Sequence, residues 1–254
     1  MTRRDASSSP SSRGGFDVYV ARPVACPYLP DLQEGKVLVP LDGDDPAGRY
    51  DLLIYNGFRR SHRWAYRPQC VGCTACVSVR IDVAAFVPSR SQRRAARRVA
   101  ALALEIGPAH SDAEAEALLI SYVQTRHGDG TMAAMGHAEV AAMIEDTTVR
   151  TELWRLRAAD GALAAWMLVD AVADGLSLVY SAFAPARARD SLGVAWVMRA
   201  VDEARHRALP HVYLGFWVQG CRKMEYKASF SALQAFGASG WRPMSPASSA
   251  KEPR

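Results

Sequence analysis

Two Asp-Gly pairs, Asp160-Gly161 and Asp174-Gly175, divide residues 151–183 into three strand-like runs, TELWRLRA, ALAAWMLVDAV and LSLVYSAF. Such a pair suits the tight turn of a hairpin, because Asp and Gly accept the positive φ that other residues resist. The runs therefore predict an antiparallel meander. A helix over 192–208 follows, with Val194, Met198, Val201, Ala204 and Ala208 on one apolar stripe, and 211–217 reads as a further strand. Ahead of the meander, Asp112 can cap a helix running to about residue 127 with Leu118, Leu119, Tyr122 and Val123 inward. The Gly-rich GDGTMAAMGHAEV then leads to a second short helix ending near Glu145.

Two helices, three antiparallel strands, a crossing helix and another strand are the order of a GNAT-like acyltransferase fold, an α+β class whose order does not fix the acyl donor. The first half reads differently. It holds FDVYV, KVLVPL, YDLLIYNGFRRS and VSVRIDVAAF as short strands around a group of cysteines, and SRSQRRAARRVAALALEI after Pro88 is helix-like. A chain of 254 residues can bury two modest cores. The expected organisation is a disordered tail over 1–15, a smaller Cys- and Arg-rich amino-terminal domain over 16–106, a GNAT-like domain over 107–244, and a disordered tail over 245–254.

The opening MTRRDASSSPSSRGG has no apolar segment to serve as a secretory signal, and no stretch reaches the roughly 20 apolar residues of a membrane span. A cytoplasmic protein without a membrane partner is expected. Residues 59–98 carry ten arginines against the single acid Asp82, so this segment is +9 while the rest of a +5 chain is −4. A basic block of this kind suits a polyanion, whose counterions are released on docking. Arg90, Arg94, Arg97 and Arg98 share one helical stripe, and Arg59, Arg60 and Arg63 alternate with Phe58, Trp64 and Tyr66, which adds stacking surface to phosphate-binding forks. A solvated helix face is the plainer reading of the stripe.

Cys70, Cys73 and Cys76 stand at two-residue spacings, and Cys26, which precedes Pro27, is the candidate fourth ligand for zinc or an iron-sulfur cluster. Unligated buried thiols are the alternative. Nucleophilic use of a thiol needs a base, and His62 is the only histidine in this half. Near the carboxy terminus, YLGFWVQGCRKMEYKASF suits a pocket wall, or else a helix packing Met224, Tyr226 and Phe230 inward with Lys223 and Lys227 exposed. The helix start DSLGVA departs from the pyrophosphate-binding Q/R-x-x-G-x-G/A of acetyl-CoA users at Asp190, where an acid is electrostatically wrong.

Taken together, CPYLP at Cys26, the long run from Tyr50 to the arginine stripe, YSAFAPARARDSLG from Tyr180 and YLGFWVQGCRKMEYKASF from Tyr213 resemble the bacterial aspartate/glutamate leucyltransferases, relatives of eukaryotic arginyl-tRNA protein transferases. The resemblance implies an enzyme that moves leucine from leucyl-tRNA to proteins beginning with Asp or Glu, marking them for N-degron degradation, with no DNA partner and no organic cofactor. For such a reaction we expect Lys223, Tyr226 and Lys227 near the terminal adenosine or the oxyanion, and Trp217 in the leucyl or ribose pocket. Arg59, Arg60 and Arg80 become candidates for gripping the substrate carboxylate, and Arg90, Arg93, Arg94, Arg97 and Arg98 for the tRNA. An acetyl-CoA-dependent N-acetyltransferase and a non-catalytic RNA-binding protein are the competing readings.

Overall fold

The computed structural model describes residues 17–126 and 134–244. Both expected disordered tails, 1–15 and 245–254, and part of the Gly-rich stretch lie outside the described residues. The chain begins with short strands β1 (Tyr19–Val20), β2 (Val24–Ala25), β3 (Gln33–Glu34) and β4 (Lys36–Pro40), then helix α1 (Pro46–Tyr55) and the hairpin β5 (Arg59–Ser61) with β6 (Trp64–Pro68). Strands β1, β4, β6 and β5 form an antiparallel sheet in that order, and β2 pairs with β3. Helix α1 overturns the strand expected for residues 50–55. Its start is set by Asp45, whose carboxylate accepts from the Gly48 amide at 2.9 Å, with Pro46 in the first turn. Tyr50, Leu53 and Ile54 then fall at helical spacing and pack with Val39, Leu41, Ala65, Val172 and Tyr213.

Next come β7 (Cys76–Asp82), α2 (Arg90–Arg98), β8 (Ala103–Pro108), α3 (Ala113–Arg126) and α4 (His137–Glu145). The expected helix beyond Pro88 is therefore cut short. A reciprocal Ser89–Gln92 capping box starts α2, and its end near Val99 leaves residues 103–108 to pair with the meander as β8. The meander itself is as anticipated, β9 (Thr151–Arg157), β10 (Leu163–Val172) and β11 (Gly175–Phe183). A 3-10 turn over Pro185–Asp190, helix α5 (Leu192–His206), β12 (His211–Val218), a 3-10 turn over Glu225–Ser229 and the hairpin β13 (Leu233–Gly237) with β14 (Gly240–Pro243) complete the chain.

One eight-stranded sheet runs β14-β13-β7-β12-β11-β10-β9-β8. Helix α5 buries Ala195, Trp196, Ala200, Val201 and Ala204 against one face, and α3 and α4 bring Ala115, Leu119, Val123, Val140 and Ile144 to Trp166 and Leu168 on the other. The antiparallel meander, the crossing helix and a parallel β12 reproduce the GNAT-like order. The sheet draws on both sides of the expected 106/107 boundary: β7 enters it between β13 and β12, and the boundary itself falls inside β8.

Candidate functional site

Parallel strands β11 and β12 stay paired only from Gly175–His211 to Ser177–Tyr213. Past that point each carries an irregularity. On β11, Val169 faces Leu178 and Leu168 faces Tyr180, leaving Val179 as an extra residue, and on β12 the register against β7 skips between Tyr213 and Gly215. The strands part there, and backbone carbonyls that a ladder would satisfy need other donors. Two cations supply them. Arg59, from β5, donates through Nη2 to the carbonyls of Val179 at 3.0 Å and Leu178 at 3.4 Å. Lys227 donates through Nζ to the carbonyls of Phe216 at 2.7 Å and Leu214 at 2.8 Å.

Gly215 brings the two cations together. Its φ of +74° favours glycine, and a Cβ there would sit 2.3 Å from the guanidinium carbon of Arg59. The Arg59 guanidinium thus lies against the backbone whose flanking carbonyls hold Lys227. It also lies over the Phe216 ring, 5.7 Å from its centre, and Tyr66 meets the same ring edge-on. The Lys227 residue is only 6% exposed. Burial and then the facing Arg59 pull its ammonium down to about 7, against a weak upward pull from the Cys221 thiol. The amine is therefore part-neutral at neutral pH.

The surrounding motif is neither a helix nor a lysine stripe. Its 3-10 turn over Glu225–Ser229 turns Lys227 inward and leaves Lys223 and Tyr226 exposed. Tyr226 packs edge-on against Phe230, and Trp217 is half-buried with its indole N–H unpaired among the described residues. Sequence reasoning missed Gly215, although a lone glycine inside a strand is a recognisable sign of close backbone approach.

The three arginines considered for a substrate carboxylate diverge. Arg60 is buried and forms a two-pronged ion pair with the fully buried Asp170, Nε to Oδ2 at 2.8 Å and Nη2 to Oδ1 at 2.7 Å. Its remaining nitrogen donates to the His62 carbonyl. Arg80 donates to Gln234 at 2.8 Å and to the Tyr213 hydroxyl at 3.0 Å, and lies over Trp241. Both guanidinium groups are engaged within the fold. Arg59 alone stands at the strand opening, and among the described residues only its Nη2 is hydrogen-bonded.

Helix α2 lies beside this opening. Gln92 donates to the Ser229 carbonyl at 3.2 Å, tying α2 to the turn that carries Lys227. Arg98 donates to the Arg189 carbonyl at 2.8 Å and to the Ser191 hydroxyl, tying it to the start of α5. With Gln92, Ala95 and Val99 inward, Arg90, Arg93, Arg94 and Arg97 fan outward into solvent. At the start of α5, Asp190 pairs with Arg187 at 3.2 Å, and Ser191 adopts a left-handed conformation without capping the helix through its side chain.

Cys26, Cys70, Cys73 and Cys76 are half-buried free thiols. They lie near one another: burial, then Cys26, Cys70 and Cys73, push the Cys76 thiol up to about 12. Among the described residues, no three His, Cys, Asp or Glu side chains are grouped as metal ligands. The chemistry proposed for this chain does not draw on these thiols.

Family profiles for arginine-tRNA-protein transferase match the chain twice, the amino-terminal profile over residues 24–94 and the carboxy-terminal one over 114–237. An aspartate/glutamate leucyltransferase of Parvibaculum lavamentivorans is 45% identical over 224 residues, 88% of this chain and 93% of that one. One of Paramagnetospirillum magneticum is 42% identical over 228 residues, 90% and 93% of the two chains. Among solved structures, a tandem GNAT protein from the clavulanic acid biosynthesis pathway is 13% identical with a TM-score of 0.40, covering 84% of this chain and 59% of that one.

Proposed function

The chain belongs to the arginine-tRNA-protein transferase family and is an aminoacyltransferase, and on that premise we propose that it moves leucine from leucyl-tRNA to proteins beginning with Asp or Glu. The product is a leucine-tagged protein marked for N-degron degradation in the cytoplasm. The observation that carries this reading is the opening between β11 and β12, lined by Arg59 and Lys227 and flanked by an arginine helix tied to both of its sides.

The donor ester is already activated. An acceptor α-amine, with a pKa of about 7.7 to 8.0, is partly neutral at cytoplasmic pH, so holding amine against carbonyl is the main task. Orientation of this kind supplies roughly 7 to 11 kcal/mol of a barrier. The exposed Arg90, Arg93, Arg94 and Arg97 grip the acceptor-stem phosphates, which delivers the 3′ end past Tyr226 and Trp217 into the opening. Lys223, exposed four residues before Lys227 in the chain, adds a phosphate contact. Arg59 reads the acidic side chain of the acceptor as a fixed positive charge with N–H donors left over at Nε and Nη1, since a permanent cation favours a carboxylate over its neutral amide.

The test is a donor competition. Purified protein is given labelled leucyl-tRNA or labelled acetyl-CoA with a peptide beginning in Asp. Transfer from leucyl-tRNA, lost on RNase treatment of the donor, is expected. Modification by acetyl-CoA alone would contradict the reading, and RNA binding without modification by either donor would leave only a binding protein.

A further inference from the structure

The two hydrogen bonds made by Lys227 define a third direction at its nitrogen. A neutral amine has two N–H bonds and one lone pair, and the carbonyls of Leu214 and Phe216 take both hydrogens at 2.8 and 2.7 Å. The lone pair then occupies the remaining tetrahedral position. In the ammonium form that position would hold a third N–H with no acceptor among the described residues, inside a residue only 6% exposed. The groups that act on this nitrogen are the Arg59 guanidinium across Gly215 and the Cys221 thiol after β12, with no carboxylate among them. A lysine that served only to satisfy two carbonyls would not need such a setting.

We propose that Lys227 accepts the proton of the attacking α-amine and returns it to the departing ribose oxygen. The proposal rests on leucyl-tRNA being the donor. In the balanced step, the amine nitrogen attacks the ester carbonyl carbon and a C–N bond forms, while the amine proton passes to Nζ. The bond from that carbon to the ribose oxygen breaks. The oxygen leaves with the proton from Nζ, which restores neutral Lys227 and releases tRNA with a free hydroxyl. No outside reagent is consumed. A proton affinity near neutrality, set by burial and Arg59, matches the amine it serves. Gly215 has a part in this, because a side chain there would displace Arg59 and with it the charge that keeps Nζ receptive.

The decisive experiment is the pH dependence of single-turnover leucine transfer to an Asp-initiated peptide, for wild type, Lys227→Arg and Lys227→Met. In wild type both the acceptor amine and Lys227 must be neutral, so the rate falls with a two-proton dependence on the acid side of about pH 7. Lys227→Arg keeps a cation and its donors but cannot give up a proton. It should transfer about a hundred- to ten-thousand-fold more slowly, with a one-proton dependence from the amine alone. Lys227→Met should behave likewise, and if it fails to fold, Lys227→Arg decides alone. Wild-type rates in Lys227→Arg, or a two-proton dependence surviving in either variant, would overturn the proposal while leaving transfer from leucyl-tRNA intact. Absence of transfer by the wild-type protein would instead remove the donor reading on which it stands.

Discussion

Arg59 and Arg60 are neighbours on β5 with opposite fates, because strand alternation sends one side chain to each face of the small sheet. Arg60 stands opposite Ala65 and turns toward Asp170, whereas Arg59 stands opposite Tyr66 and reaches the carbonyls of β11. Truncating Arg60 to Met should therefore cost about 3 to 5 kcal/mol of stability by leaving Asp170 buried and unpaired, measured by chemical denaturation. The preference of the remaining folded enzyme for acidic acceptors should not change. Lys227 gives a second residue-scale test. Its folded value of about 7 lies below the ordinary 10.5, so between these pH values the unfolded chain binds more protons and stability rises with pH. Urea unfolding across that window should show the rise in wild type and its loss in Lys227→Met. The sequence pointed to Lys227 in a pocket wall, with an exposed helical stripe as the alternative placement. That it is buried depends on the turn over Glu225–Ser229 folding back onto β12, a long-range event with no local signature.

Elements with strong local signals were legible: the hairpins turning at Asp160-Gly161 and Asp174-Gly175, the Asp112-capped α3, and the apolar stripe of α5. Helix α1 was not, because its Tyr, Leu and Ile content also suits a strand and the decision rests on the Asp45 cap. Asp45→Ala should accordingly cost about 1 kcal/mol, seen as a lowered unfolding midpoint. The hairpin β13–β14 escaped notice because its short strands gain their place by pairing with β7. For α2, the sequence showed the arginines and the structure shows which of them face solvent. Replacing Arg90, Arg93, Arg94 and Arg97 together by Gln should raise KM for leucyl-tRNA with little effect on kcat. The salt dependence should flatten by about 0.7 to 0.9 log unit per log unit of salt for every phosphate that is no longer neutralised. An unchanged salt slope would assign the stripe to solvation.

At the scale of the molecule, the two halves are not separable around the site. Strand β7 lies between β12 and β13, and β5 supplies the arginine that stands in the opening of the carboxy-terminal half. A fragment of residues 107–244 would expose the edges of β12 and β13 that β7 now covers. It should fail to fold cooperatively, as read by circular dichroism and limited proteolysis. The candidate site could not be drawn from sequence alone for the same reason: its two basic side chains, Arg59 and Lys227, lie 168 positions apart, brought together by backbone irregularities at Val179 and between Tyr213 and Gly215. The most direct test of the account compares leucine transfer from leucyl-tRNA to peptides differing only in Asp or Asn at the first position, for wild type and Arg59→Gln. Wild type should strongly prefer Asp, and Arg59→Gln should lose both rate and preference while remaining folded. Full Asp preference in Arg59→Gln would contradict the claim that this strand opening is where the acceptor is read.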